Sequence, residues 1–172
     1  RFSGDDRYVA CGCADGKIKI YNLETNKMAF LLANQVLTEY EIMPITCLWW
    51  RPGEHKTQNV LVSVSAEGKV NHWHVTSGKK LHTIEMVDEN HLYALDYNLD
   101  GSQFSTAGKD YKIRVYDENT KSCIQTLGGG LDLPGHANWV FCVKYDPSNP
   151  NIQVSSGWDN TMMIYDIWKN FP

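Results

Sequence analysis

His136, Ser155 and Asp159 supply a base, a hydroxyl nucleophile and an orienting acid, the side-chain types of acyl transfer. That chemistry needs its hydroxyl raised on a sharp strand-turn-helix elbow, whereas Ser155 lies inside IQVSSG, which reads as an extended run. His72 and His74 flank Trp73 in KVNHWH. On a strand both point to one face, a geometry capable of holding a metal, but no carboxylate or third histidine follows nearby. Cys11 and Cys13 form a Cys-x-Cys without the second pair that a zinc site needs. The stretch LGGGLDLPG, residues 127–135, is glycine-rich but has neither the Lys-Ser/Thr of a phosphate-binding loop nor a helix to follow, and it reads as a connection. No residue is therefore assigned as catalytic, cofactor-binding or metal-ligating, and no cofactor is expected.

The chain around these residues has 172 positions, enough for a cored domain, with 42% hydrophobic and 21% charged residues, a globular composition. Its net charge of -4 lacks a concentrated basic block, which offers little attraction for nucleic acid or an anionic membrane. No RNA-binding signature accompanies the aromatics. No apolar run is long enough for a membrane span, and the opening RFSGDDRYV lacks the order of a signal peptide and reads as the middle of a domain. The five cysteines, Cys11, Cys13, Cys47, Cys123 and Cys142, are odd in number and scattered, mostly in strand-like segments. They read as reduced, buried thiols of an intracellular protein, cytoplasmic or nuclear, with the cytoplasm favoured.

Four stretches align: CGCADGKIKIYN from 11, VSVSAEGKVNHWH from 62, STAGKDYKIRVYD from 105 and SSGWDNTMMIYD from 155. The alignment superimposes Asp15, Glu67, Asp110 and Asp159, each followed six residues later by an aromatic: Tyr21, Trp73, Tyr116 and Tyr165. Those aromatics are 52, 43 and 49 residues apart, near the length of a propeller blade once loop insertions are allowed. Apolar residues recur at every second position, the period of a strand. ITCLWW, LYALDY and VFCVKY superimpose upstream of the last three copies, and KMAFLL, KKLHTI and SCIQTL follow the first three aromatics. Each complete unit is thus four short strands joined by Gly-, Asp- or Asn-containing turns.

On these residues the chain resembles the WD40-repeat β-propeller family. The last copy is closest, with Gly135-His136, SSGWDNT at 155–161 and Tyr165-Asp166 where the family usually has Trp-Asp; the others carry AGKD and YD, SAEG and WH, and CADG and YN. The resemblance implies an all-β chain of four-stranded antiparallel blades, about three and a half in number: an incomplete blade over 1–32, blades over 45–84 and 92–127, and an incomplete blade over 135–172. Propellers of this kind usually close with about seven blades, so the chain is expected to be a portion of a larger one, completed by blades of the same chain or another.

The resemblance also assigns a structural relay of Ser155, His136 and Asp159, with Tyr165 in the place of the family's Trp. Glu41 and Asp88 fall in the slot of His136, so the second and third copies must use other contacts. Residues before the turn acid and at the entrance of the innermost strand form one recognition end in the family; here they are Ala66, Lys109 and Trp158, and Pro44, His91 and Trp139. Trp49, in a column shared with Asp96 and Lys144, and the long connection 32–44 with Tyr40, Ile42 and Met43 are further interface candidates, whereas 51–59 reads as solvated. The implied function is a non-catalytic protein-protein interaction scaffold or adaptor within a multiprotein assembly. The alternatives are a structural part of a large cytoskeletal, ciliary or other stable complex and, less favoured, an enzyme or small-molecule site in a central cavity.

Overall fold

The computed structural model describes residues 1–34, 43–53, 59–85, 90–128 and 134–168. The chain is all-β, as expected, and its strands form four antiparallel meanders. The first has three strands, β1 (Tyr8–Gly12), β2 (Ile18–Asn22) and β3 (Lys27–Leu32). The second has four: β4 (Ile45–Trp50), β5 (Val60–Ser65), β6 (Lys69–His74) and β7 (Lys79–Glu85). The third also has four, β8 (Leu92–Tyr97), β9 (Gln103–Gly108), β10 (Ile113–Asp117) and β11 (Cys123–Leu127), and the fourth has β12 (Val140–Tyr145), β13 (Ile152–Gly157) and β14 (Met162–Asp166). Two compact units result, Arg1–Glu89 with the first two sheets and Asn90–Pro172 with the last two.

The acid-to-aromatic spacing has a mechanical origin. In the β1–β2 hairpin, and in the hairpin between the second and third strands of each other sheet, the residue after the acid takes a positive φ: Gly16 (70°), Gly68 (83°), Tyr111 (69°) and Asn160 (59°). The Asp side chain closes three of these turns by accepting from the backbone two residues on, at Lys17, Lys112 and Thr161. Six residues after the acid the strand has turned its ring inward, so Trp73, Tyr116 and Tyr165 are almost wholly buried. The polar residue that follows Tyr21, Tyr116 or Tyr165 caps the next turn: Asn22 accepts from Glu24 and Thr25, Asp117 from Asn119 and Thr120, and Asp166 from Trp168. The aromatic-Asp signature is thus one buried ring followed by one turn cap.

Within the first unit, Ala10, Ile18 and Ile20 of the first sheet pack with Leu48, Trp50, Leu61 and Trp73 of the second. In the second unit Ala94, Ala107, Ile113 and Val115 pack with Val140, Val143 and Tyr165. Each fully buried aliphatic or aromatic side chain of this kind contributes about 1.5–3 kcal/mol. Asp96 ties the same two sheets together, accepting from Lys144 Nζ and from Tyr145 N, each at 2.8 Å.

The cysteines correct one expectation. None of the five is in a disulfide, and none is buried: Cys11 and Cys123 are exposed and the other three half-buried. Cys11 lies on the face of β1 opposite Ala10, beside the partly exposed Tyr21, and Cys123 lies on an outermost strand.

The innermost strands share an irregularity that positions the candidate site. Register shifts fall between Ile45 and Cys47, Leu92 and Ala94, and Val140 and Cys142, leaving Thr46, Tyr93 and Phe141 as the extra residue of a bulge in β4, β8 and β12. A bulge re-aims the side chain it carries.

Candidate functional site

His136 enters the last sheet from the segment before β12 and meets both Ser155 and Asp159. Its Nδ1 lies 2.9 Å from Asp159 Oδ2, and its Nε2 lies 2.7 Å from Ser155 Oγ. A carboxylate only accepts, so Nδ1 donates to Asp159, while Nε2 is hydrogen-bonded to the Ser155 hydroxyl. Ala137 N and Thr161 Oγ1 also donate to Asp159, at 2.9 and 2.7 Å. Burial alone would raise this carboxyl, but the hydrogen bonds from Thr161, Ala137 and His136 outweigh it and hold it well below the usual range. Ser155 is 1% exposed, on the same side of β13 as the buried Gln153. A substrate carbonyl has no approach to its hydroxyl. The arrangement joins a turn to two strands; it does not present a nucleophile. Tyr165 is buried beside it: burial pushes its phenol up, a hydrogen bond with Ser155 opposes that push, and its hydroxyl donates to Met163 Sδ at 3.1 Å.

The other turn acids find different cations. Asp15 pairs with Lys17 at 3.0 Å, Glu67 with Lys69, and Asp110 with Arg114 at 2.5 Å, and Asp110 N also donates to Asn90. The cation two residues on in the first two turns is replaced by Thr161 in the last, where the imidazole takes over. Glu41 and Asp88, aligned with His136, lie outside the described residues, as do Tyr40 and Ile42 and most of 32–44, residues 54–58 of the 51–59 connection, and residues 129–133 of the glycine-rich stretch.

The six residues singled out for recognition fall into three pairs joined by one repeated main-chain hydrogen bond. Ala66 N donates to Pro44 O at 3.0 Å, Lys109 N to His91 O at 2.8 Å, and Trp158 N to Trp139 O at 2.8 Å. The close approach explains two glycines: a Cβ at Gly108 would sit 2.1 Å from His91 O, and one at Gly157 would sit 2.8 Å from Trp139 O. Pro44, Lys109 and Trp158 are exposed, while Ala66, His91 and Trp139 are half-buried.

In the second unit two further rings join these pairs, and sequence reading missed both. Tyr93 and Phe141, the bulge residues, stack at 4.8 Å between centroids. Phe141 also meets Trp158 edge-on at 5.6 Å, Trp139 lies 5.2 Å from Trp158 and 6.0 Å from Tyr93, and His91 stacks on Tyr93 at 6.4 Å. Trp158 is 61% exposed and Phe141 45%. Their signal was present in the second column of ITCLWW, LYALDY and VFCVKY, where an aromatic twice follows an aliphatic residue.

The remaining candidates do not converge. His74 is held between Asn59 and Ser77, and His72 is buried with its ring 6.2 Å from that of His82. Among the described residues no group of three His, Cys, Asp or Glu side chains is placed to hold a metal ion. Trp49 lies 3.4 Å beneath the guanidinium of Arg1, whereas Asp96 and Lys144 of the same column pair with each other. A cleft of about 220 Å³ in the first unit is lined by Asp15, Lys17, Asn34, Ser65, Glu67 and Asn71. No helix of the described residues is long and apolar enough to cross a membrane.

The pattern described by the family model for the WD domain, G-beta repeat matches residues 1–22, 78–117 and 121–166, more than half of the chain. Each of the two longer matches takes the last strand of one sheet and the first three of the next. The chain is 25% identical over 170 residues to the periodic tryptophan protein 2 homolog of Dictyostelium discoideum, covering 98% of this chain and 17% of that protein. It is likewise 25% identical over 185 residues to protein SOF1 of Saccharomyces cerevisiae, covering 95% of this chain and 35% of the relative. A solved structure of the mitotic checkpoint complex contains a chain that superimposes with a TM-score of 0.80 at 19% identity, over 99% of this chain and 47% of that one. The likeness at this identity is one of fold. The chain spans only a minor part of these two relatives and about half of the solved chain.

Proposed function

The chain belongs to the WD40 family, and from that premise we propose that it works as a non-catalytic scaffold or adaptor inside a multiprotein assembly. Repeats of this family are interaction modules rather than catalysts. The observation that carries the reading is the set of three pairs, Pro44 with Ala66, His91 with Lys109 and Trp139 with Trp158, each held by the same main-chain bond while its side chains vary. Loops fixed on rigid strands are where recognition commonly resides, and an exposed Trp is a frequent hot spot. Ser155, His136, Asp159 and Tyr165 serve in this reading as the relay that holds the last pair in place.

The blade divisions 1–32, 45–84, 92–127 and 135–172 form part of the proposal, and so do further blades, of this chain or another, that cover the last sheet. Met162 and Ile164 of β14 are 69% and 52% exposed, while Ile113 and Val115, which hold the same positions in β10, are 0% exposed. A further sheet is the partner that this face fits. The odd number and scattered spacing of the cysteines favour a cytoplasmic or nuclear setting, the cytoplasm first.

A photo-crosslinking amino acid placed at Trp158 tests the scaffold reading, with Asn26 in the turn before β3 as the control position. Discrete protein adducts from position 158, absent from position 26, are the expected result. Equal labelling at both positions, or none, removes the recognition end from the proposal.

A further inference from the structure

The scaffold reading leaves the partner's chemistry open, and the second unit supplies it. We propose that Tyr93, Trp139, Phe141 and Trp158 form a stacking platform that seats an extended segment of a partner protein bearing a proline or aromatic side chain, with a neighbouring carboxylate met by Lys109. This inference rests on the scaffold reading of the pairs His91 with Lys109 and Trp139 with Trp158.

Three observations carry it. The bulges at Tyr93 and Phe141 bring those two rings into the cluster of Trp139 and Trp158, and the four rings lie within 6.3 Å of their neighbours while Trp158 and Phe141 both remain exposed. Rings already packed against one another have little side-chain freedom left to lose on binding.

Two main-chain donors beside the rings are already engaged. Trp158 N and Lys109 N donate to Trp139 O and His91 O, so an incoming strand would find those groups used. Recognition then falls to ring faces, which suits a polyproline-type segment whose prolines bring no backbone N–H that must be paired.

The charges of the rim complete the match. Asp110 is paired with Arg114, and Asp159 is surrounded by His136, Ala137 and Thr161. Lys109 is exposed and forms no ion pair among the described residues, which favours a carboxylate on the partner. A nucleobase would also stack on such rings, but the net charge of -4 works against a polyanion.

The test is selection of a random peptide library displayed on phage against the whole chain, followed by binding titrations of the recovered peptides and of a single-stranded oligothymidylate. Peptides carrying Pro, Trp, Tyr or Phe next to Asp or Glu are expected, with affinity falling roughly 30-fold or more in Trp158→Ala or Phe141→Ala. Circular dichroism confirms that each variant is folded. Lys109→Glu, at an exposed position, should turn the selected charge from acidic to basic, and it keeps the test decisive if an aromatic variant fails to fold. Peptides that bind all variants equally would overturn the platform and leave the scaffold reading standing. Recovery of no peptide, with Trp158-dependent binding of oligothymidylate, would overturn both; recovery of no peptide and no oligothymidylate binding would overturn the platform.

Discussion

Trp73 donates its indole N–H to Ser63 Oγ at 2.9 Å, with both residues buried between β5 and β6. Ser63 and Trp73 align with Ser155 and Tyr165, so the second sheet retains the inner half of the hydrogen-bonded chain that His136 and Asp159 extend in the last sheet.

Separate loss of either member leaves a buried polar group unpaired. Ser63→Ala and Trp73→Phe should each cost about 1–3 kcal/mol in urea unfolding. The double variant should cost less than the sum of the two, because the bond can be lost only once. Strict additivity would show that the two groups act independently.

Asp159 links acidity to stability. Its carboxyl is held well below the ordinary value of 3.8, chiefly by hydrogen bonds from Thr161, Ala137 and His136 acting against burial. A group depressed in the folded state stabilises fully above its unfolded pKa, and that contribution fades as pH falls through the folded value. The unfolding midpoint should therefore drop as pH is lowered below about 4. Asp159→Asn should lose about 1–3 kcal/mol at neutral pH and show a flatter profile over the acid range. A variant profile as steep as the parent's would locate the acid sensitivity elsewhere.

Tyr111 sits in the left-handed region at φ 69°, a position that its counterparts fill with Gly16, Gly68 and Asn160. A bulky side chain there is strained, and 40% of this residue is exposed, so little packing opposes its replacement. Tyr111→Asn should raise stability by roughly 0.5–1 kcal/mol. Thermal unfolding reads this directly, and a lower midpoint would mean that the ring makes a contact outweighing the strain.

Gly108 offers the opposite case. A methyl group there would meet His91 O at 2.1 Å, whereas one at Gly4 would meet nothing within 4 Å. Gly108→Ala should destabilise by about 1–3 kcal/mol or more, and Gly4→Ala by much less. Hydrogen exchange should show the Lys109 amide losing protection in the first variant.

The four sheets were legible because the acid, the inward ring and the turn cap are local and repeat in register. The meeting of His136 with Ser155 and Asp159 was anticipated only through the family resemblance, because His136 is distant in sequence from the turn it joins and no local pattern links them. Tyr93 and Phe141 were missed because strict alternation has no term for a bulge, and one extra residue in the inner strand changes where a ring points. The thiols of Cys11 and Cys123 were misjudged because a strand's own periodicity says which side a residue takes. Whether that side is covered is decided by another sheet, whose presence the local pattern does not encode.

The bond repeated from Ala66 to Pro44, from Lys109 to His91 and from Trp158 to Trp139 uses only an amide on one side and a carbonyl on the other. Even proline satisfies the acceptor side, since that slot asks for no N–H. Geometry and vocabulary are thereby uncoupled: the peg and socket stay constant while the lettering above them ranges from Ala and Pro to a pair of indoles. A surface built this way can be rewritten one side chain at a time without retuning the scaffold beneath it, which makes it a ready substrate for engineering new partners.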